Sequence, residues 1–295
     1  LGRYTLEHPF YMMTTEVSQE VFGEVMGYDS RDGENTDYGE GVNFPAYFVS
    51  WNMAADFANH LSVLEGLEEC YTCSGTGTEV ECSESVHPYQ CSGYSLPTEY
   101  EWELSVRSGT SSEFWTGEGT ELGGIFSSED CDLSVTIQDG VTNPPIGDYT
   151  WFCGNRYDST YNDTAKPIAQ KLPNGFGLYD MHGNLWEWVS DWHGCDYPTD
   201  NEWCESDERR VLRGGSWSSG IDKHKASKRV SNTPESRGSH NGFRLRRLIV
   251  EDNDLDGVNS LLDCDDNDET VPSNDADCDG VVTAEDCDDS SSELG

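Results

Sequence analysis

Basic side chains are scarce in this chain: 17 Lys and Arg stand against 57 Asp and Glu, a formal net charge of −40 over 295 residues. A surface that negative repels phosphate backbones and anionic lipid headgroups and attracts metal cations, so nucleic acid and membrane surfaces are excluded as partners. Long apolar runs are also missing. No segment approaches the roughly 20 apolar residues that a membrane span needs. The sequence opens at Leu1 without a methionine or an apolar signal region, which implies N-terminal processing or truncation. Catalytic signatures are few: there is no G-x-S-x-G, no H-E-x-x-H and no phosphate-binding loop.

Cysteine, in contrast, is plentiful. Eleven occur, at 70, 73, 82, 91, 131, 153, 195, 204, 264, 278 and 287, too many for a reduced cytosolic chain, and they indicate an oxidising, extracellular or cell-surface setting. Cys70 and Cys73 form a C-x-x-C, but no second C-x-x-C or H-x-x-x-H accompanies it, which sets disulfides ahead of a zinc site. Proximity pairs Cys70 with Cys91 around a nested Cys73–Cys82, Cys131 with Cys153, and Cys195 with Cys204.

The charge is uneven. Residues 251 to 295 hold 17 acidic residues and no Lys or Arg, which divides the chain into a domain over 1–248 and an acidic tail over 249–295. Residues 252 to 268 and 275 to 291 repeat one another at an offset of 23. On the twelve-residue EF-hand ruler, Asp252, Asp254 and Asp256 take positions 1, 3 and 5, Gly257 position 6, the Val258 carbonyl position 7 and Asp263 position 12. Asp275, Asp277, Asp279, Gly280, Val281 and Asp286 follow the same spacing. Without flanking helices, these loops resemble thrombospondin type 3 calcium repeats rather than a true EF-hand. The rival reading is a disordered acidic tail. Cys264 can pair with Cys278, which leaves Cys287 alone and predicts that the natural chain continues beyond Gly295.

Along the larger domain, residues 1 to 17 read as a strand with Phe10, Tyr11 and Val17 in the core, followed by a helix over about Ser18 to Met26. Ser50 caps a second helix whose Trp51, Ala54, Ala55, Ala58 and Leu61 make one apolar stripe. Thr98 and Glu101 form a capping box before Trp102, Leu104 and Val106. Elsewhere Gly, Asn, Asp and Ser are so frequent that regular elements must be short and loops long, and such loops need cross-links or ions.

Four ordered segments carry a likeness: TTEVSQEVFGEVMG (14 to 27), FPAYFVSWNMAADFANHLS (44 to 62), YSLPTEYEWELSVRSG (94 to 109) and GFGLYDMHGNLWEWVSDW (175 to 192), closed by RVLRGGSW (210 to 217) and NGFRLRR (241 to 247). Over residues 1 to 248 the chain resembles the formylglycine-generating-enzyme, or sulfatase-modifying-factor, family. The resemblance implies an α+β, C-type-lectin-like fold with few regular elements. It implies two copper-binding cysteines just after G-G-S, where soft thiolates suit Cu(I). Here Ser218 and Ser219 stand where the first of these is expected, no cysteine occurs from 205 to 263, and His224 is read as a solvated side chain.

The resemblance also implies a calcium site that uses Asp180 and Glu187 side chains with the Gly183 and Leu185 carbonyls. A second, looser one would use Asn155, the Arg156 carbonyl and a carboxylate between Asp158 and Asp163. Trp186, Trp188 and Trp192 are assigned to the core, and Arg244 to a pair with a buried acid. The expected function is non-catalytic: an extracellular, calcium-binding protein with an adhesive or surface-assembly role, its partners being other protein subunits or a cell-surface ligand. Two alternatives stand beside it. One is a metal-dependent oxidoreductase with displaced ligands; the other is a calcium-dependent glycan-binding module, although the E-P-N and Q-P-D motifs are absent.

Overall fold

The first N–H groups of a helix have no intrahelical acceptor, so a helix starts where a side-chain oxygen can take them. Ser18 and Ser50 do so for Val21 and Met53, and Thr98 and Glu101 close the reciprocal capping box expected of them. The computed structural model describes residues 8–34, 37–86, 88–116, 131, 146–157, 163–194 and 208–249. In chain order these give β1 (Phe10–Met12), α1 (Gln19–Met26), α2 (Trp51–Leu64), β2 (Tyr71–Ser74), β3 (Glu81–Glu84), β4 (Tyr94–Ser95) and α3 (Glu99–Arg107). After them come β5 (Trp186–Trp192), β6 (Arg210–Arg213), β7 (Arg229–Asn232), β8 (Asn241–Gly242) and β9 (Arg246–Leu248). Helix and strand are mixed and short, as the α+β reading requires.

Three sheets result. The order β1-β9-β4 joins the two ends of the domain, β2 and β3 form a hairpin, and β7-β6-β5-β8 makes the largest sheet, with β5 and β8 parallel. The stripe on α2 is buried at Trp51, Ala54, Ala55 and Ala58, and packs with Phe22, Trp186, Trp188 and Phe243. Trp51 and Trp188 complete the junction by donating their indole N–H groups to the carbonyls of Val189 and Val49. Leu61, Leu104 and Trp192 are only half-buried.

The N-terminal strand is shorter than expected. Val17 is buried, but Tyr11 is 65% exposed: it pairs opposite Arg247 on the outer face of a three-stranded sheet, and period-two alternation sends it to solvent while its neighbours turn inward. Disulfides Cys70–Cys91, Cys73–Cys82 and Cys131–Cys153 are all present, so the C-x-x-C is not a zinc site. Cys195, Cys204 and the tail from 250 onward, with Cys264, Cys278 and Cys287, lie outside the described residues. No described helix is long and apolar enough to cross a membrane.

Four arginines are essentially fully buried, and each has a carboxylate. Arg210 meets Glu84 at 2.6 Å, Arg213 meets Glu103 at 2.5 Å and Glu99 at 3.4 Å, Arg244 meets Glu187 at 2.7 Å, and Arg246 meets Glu101 at 3.3 Å. Arg210 is also held between the rings of Trp51 and Trp192, 3.9 and 3.5 Å from their centroids. Removing one member of such a pair strands the other without water. Arg213→Ala is therefore expected to cost about 3–5 kcal/mol of unfolding free energy in urea titration. A loss below about 1 kcal/mol, the range of a solvated surface pair, would contradict that role.

Candidate functional site

The turn from Asp180 to Glu187 is built from unusual backbone. Asp180 and Asn184 have φ of 58° and 61°, and Ala169, which contacts Asp180, has 57°. Non-glycine residues rarely occupy this left-handed region, and such strain persists where surrounding contacts enforce it. Gly183 has φ 112°, and a Cβ there would collide with Thr150 Oγ1 and the Trp151 carbonyl, so only glycine fits.

Asn184 supplies much of the enforcement. Its backbone N–H donates to the Trp151 carbonyl, its Oδ1 accepts from Lys166 N–H, and its Nδ2 donates to Glu16 Oε2 at 2.7 Å. Glu16 Oε1 accepts from Leu185 N–H at 2.9 Å, which ties the turn to a segment 169 residues earlier.

Two carboxylates predicted as calcium ligands meet here on different terms. Asp180 Oδ2 accepts from Ala169 N–H at 2.7 Å, while its Oδ1 is buried with no hydrogen-bond partner. Glu187 is engaged: it accepts from Trp102 Nε1 and Arg244 Nε at 2.8 Å and from Arg244 Nη2 at 2.7 Å. The buried acid expected for Arg244 is thus Glu187 itself. Burial pushes Asp180 up to about 6, against the pull of the Ala169 N–H and Arg244, and the nearby Glu187 charge adds to the rise. Glu16 is held well above the ordinary carboxylate range by burial, then by the charges of Asp180 and Glu187. Three carboxylates therefore share one guanidinium in a space without water access.

The second predicted set is arranged otherwise. Asn155 Oδ1 accepts from Phe152 N–H at 2.9 Å and its Nδ2 donates to the Thr150 carbonyl at 2.8 Å. Asp163 pairs with Arg156 at 3.0 Å and accepts from the Tyr157 hydroxyl at 3.0 Å. Residues 158–162, and the tail ligands Asp252, Asp254, Asp256, Val258, Asp263, Asp275, Asp277, Asp279, Val281 and Asp286, lie outside the described residues. Among the described residues, the one trio of His, Cys or acidic groups converging within reach of a shared ion is Asp56 with Cys73 and Cys82, whose sulfurs form a disulfide.

At the G-G-S turn the hydroxyls of Ser216 and Ser219 lie 2.7 Å apart, with Ser218 at 3.5 Å. His224 is not the solvated side chain that sequence suggested. It is fully buried, its Nδ1 3.1 Å from the Gly220 carbonyl, and it packs so closely under Gly215 that a Cβ there would come within 2.8 Å of the ring. Its own carbonyl meets His182 Nδ1 at 2.6 Å, linking this segment to the 180–187 turn.

The model of the sulfatase-modifying factor enzyme 1-like domain matches residues 2–249. The chain belongs to this family. It is 27% identical to a "Chaperone protein LppX" of Paenibacillus barcinonensis over 81% of its own length and 80% of that protein's. To the formylglycine-generating enzyme of Thermomonospora curvata it is 32% identical over 72% of this chain, and it spans 58% of the enzyme. A bovine relative named inactive Cα-formylglycine-generating enzyme 2 is 30% identical over 72% of this chain and 53% of its own. Among solved structures, the Treponema denticola variable protein 1 superposes with a TM-score of 0.61 at 28% identity, covering 81% of this chain and 84% of that one. The family thus contains named enzymes and a member named inactive.

Sequence reading missed two participants in this sulfatase-modifying-factor site, Glu16 and His182, and misread a third, His224. Burial lowers both histidines to about 4. Because the folded values lie below the ordinary 6.5, the unfolded chain binds more protons between about pH 4 and 6.5, and the stability these residues contribute falls as pH drops through that window. Asp180, raised to about 6, acts in the opposite sense over about pH 4 to 6. Comparison with a variant isolates the histidine part: the decline of the urea midpoint from pH 6.5 to 4 is expected to be shallower in His224→Gln than in the parent. Identical slopes would show that His224 does not titrate on unfolding.

Proposed function

We propose that this chain is a non-catalytic, extracellular member of the sulfatase-modifying-factor family, in which calcium stiffens the 180–187 turn and the acidic tail. The rigid, lectin-like frame then presents its loops to other protein subunits or a cell-surface ligand. The observation that carries the reading is chemical. Where the family resemblance expects the first of two thiolates for Cu(I), Ser218 and Ser219 offer hydroxyls in a cluster with Ser216, and no cysteine occurs from 205 to 263. Neutral hydroxyls are hard, poor ligands for Cu(I), and without the soft pair copper-dependent oxygen activation has no seat. Disulfides on both sides of the domain support an oxidising compartment, and long loops on a fixed frame are the usual place for recognition.

For calcium, the supporting features are the unpartnered, buried Asp180 Oδ1, the strained turn that carries it, and the charge of the cluster. Glu16, Asp180 and Glu187, if all ionised, leave two negative charges uncompensated by Arg244, which is the charge of one divalent ion. Asp180 with the Gly183 and Leu185 carbonyls would hold it, while Glu187 supplies charge and remains Arg244's partner. In the tail, the repeated D-x-D-x-D-G loops would order only with the ion, since they have little apolar surface to bury.

Three measurements test the proposal. Incubation of a sulfatase-type cysteine peptide with the copper-supplemented protein is expected to leave the cysteine unoxidised by mass spectrometry; turnover, or tight stoichiometric copper, would revive the oxidoreductase reading. Calcium at about a hundredfold excess over its Kd is expected to stabilise the domain by about 2.7 kcal/mol per site. Asp180→Ala should abolish the calcium-dependent protection of peptide 178–187 in hydrogen exchange. Protection of that peptide that is indifferent to calcium in the parent protein would remove the domain site from the proposal.

A further inference from the structure

We propose that Cys73, Cys82 and Asp56 form a redox-gated site for a thiophilic divalent metal such as zinc, closed while the two sulfurs are joined and opened when a dithiol reductant separates them. The site lies where the β2–β3 hairpin packs on α2, and it uses the cysteine pair across the hairpin rather than the C-x-x-C. One carboxylate oxygen and both sulfurs converge there within 4.8 Å of one another. Two thiolates and a carboxylate are a zinc ligand set, with the fourth tetrahedral position left to water.

Residues three and four apart share a helix face, and α2 turns Asn52, Asp56 and Asn59 toward the hairpin. Asn52 Oδ1 accepts from Cys82 N–H at 3.2 Å. Asn59 accepts from Tyr71 N–H at 3.1 Å and donates to the Tyr71 carbonyl at 2.7 Å. Both asparagines are buried. Cys73 and Cys82 face one another in the hairpin register, and a separate disulfide, Cys70–Cys91, ties the base of β2 to the chain before β4. None of these contacts depends on the Cys73–Cys82 bond, so the hairpin keeps its place on α2 when that bond opens, and both sulfurs stay beside Asp56.

The surroundings suit the open form better than the closed one. A carboxylate held away from water needs a cation or hydrogen-bond donors, and a disulfide offers neither. Asp56 is nonetheless 14% exposed, and one turn on, the half-exposed His60 brings Nδ1 to 3.4 Å from Oδ1. Asn59 Nδ2 stands 3.9 Å from Cys73 Sγ, a donor for a sulfur that carries charge as a thiolate. Opening is thiol–disulfide exchange: the Cys73–Cys82 bond breaks, the dithiol closes to its own disulfide, and two electrons with two protons pass to the protein sulfurs. The metal then displaces both protons to solvent and binds the two thiolates. Access selects this bond over its neighbour, because Cys73 and Cys82 are half-buried whereas Cys70 and Cys91 are 3% and 0% exposed.

Zinc and cobalt(II) titrations of the full chain test the site. The protein is reduced with a phosphine, which leaves no competing thiol, and desalted without oxygen; alkylation mapping by mass spectrometry shows which bonds have opened. The Cys73→Ser, Cys82→Ser double variant, which retains every other cysteine, is treated identically. After reduction the parent is expected to bind one more metal per chain than this variant and to show the stronger thiolate-to-cobalt charge-transfer absorption; before reduction the two should bind alike. Asp56→Asn, which keeps all the cysteines, should weaken zinc at this site on the order of tenfold or more, and should leave Cys73 and Cys82 open to alkylation at zinc concentrations that protect them in the parent. Equal metal binding by reduced parent and double variant would overturn the proposal, as would an affinity unchanged by Asp56→Asn. Near-ultraviolet circular dichroism follows the fold: loss of the tertiary signal when Cys73–Cys82 alone is opened would show that the hairpin does not hold the ligands in place, and would also overturn it.

Discussion

Everything in the domain is organised by the burial of arginine against carboxylate. Regular elements are too short to define their mutual placement by backbone pairing alone: β4 and β8 are two residues each, and the longest strand, β5, is seven. Helix α3 supplies the fixed point. Its first turns carry Glu99, Glu101 and Glu103, which reach Arg213 on β6, Arg229 on β7 and Arg246 on β9, so one helix is bolted to two sheets. From its buried face Trp102 reaches Glu187 on β5. Asp191, also on β5, accepts the Glu99 N–H at 2.6 Å, and burial beside Glu99 pushes it up to about 7.

A hydrophobic replacement of such pairs is often as stable or more so, and stability alone does not explain their retention here. Ion pairs between groups distant in sequence are directional, and they discriminate between registers that an apolar surface would tolerate. In a chain that is mostly loop, that discrimination specifies which sheet edge meets which helix. The cost appears in the atoms left over: Glu101 Oε1 and the Nε atoms of Arg210 and Arg213 are buried without a hydrogen bond, so the network is electrostatically matched but not saturated.

How much of this was legible depended on distance along the chain. The helix starts at Ser18, Ser50 and Thr98 could be read because a cap and its acceptor lie three residues apart. The disulfides could be read because their partners are 9 to 22 residues apart. Arg244 could be assigned a buried acid, but not Glu187 in particular, because the pairing spans 57 residues, and Glu187 was at the same time read as a metal ligand. Glu16 carried no local signal at all; its partners Asn184 and Leu185 lie 168 and 169 residues away. Tyr11 was misassigned because strand alternation says which residues share a face but not which face is covered. His224 was misjudged for a related reason: it sits in a polar stretch with three lysines, and only the close approach of Gly215 from the preceding turn shows that it is enclosed.

A chain of formal charge −40 nonetheless builds its domain around its own few cations. All five lysines lie in two short segments, 166–171 and 223–228, and five of the twelve arginines, Arg31, Arg210, Arg213, Arg244 and Arg246, are buried inside the fold. Lys166 is fully buried, donating to the Thr164 carbonyl, and with Lys171 it flanks Trp151 at the edge of the 180–187 turn. Internal cations therefore reach the rim of the Glu16, Asp180 and Glu187 cluster, yet Arg244 is the one that enters it. The remaining negative charge can be relieved in two ways: by protons, which burial already favours on Glu16 and Asp180, or by a divalent ion. A proton satisfies charge but leaves Asp180 Oδ1 without a partner; an ion satisfies both. That is the ground on which we propose calcium for this turn.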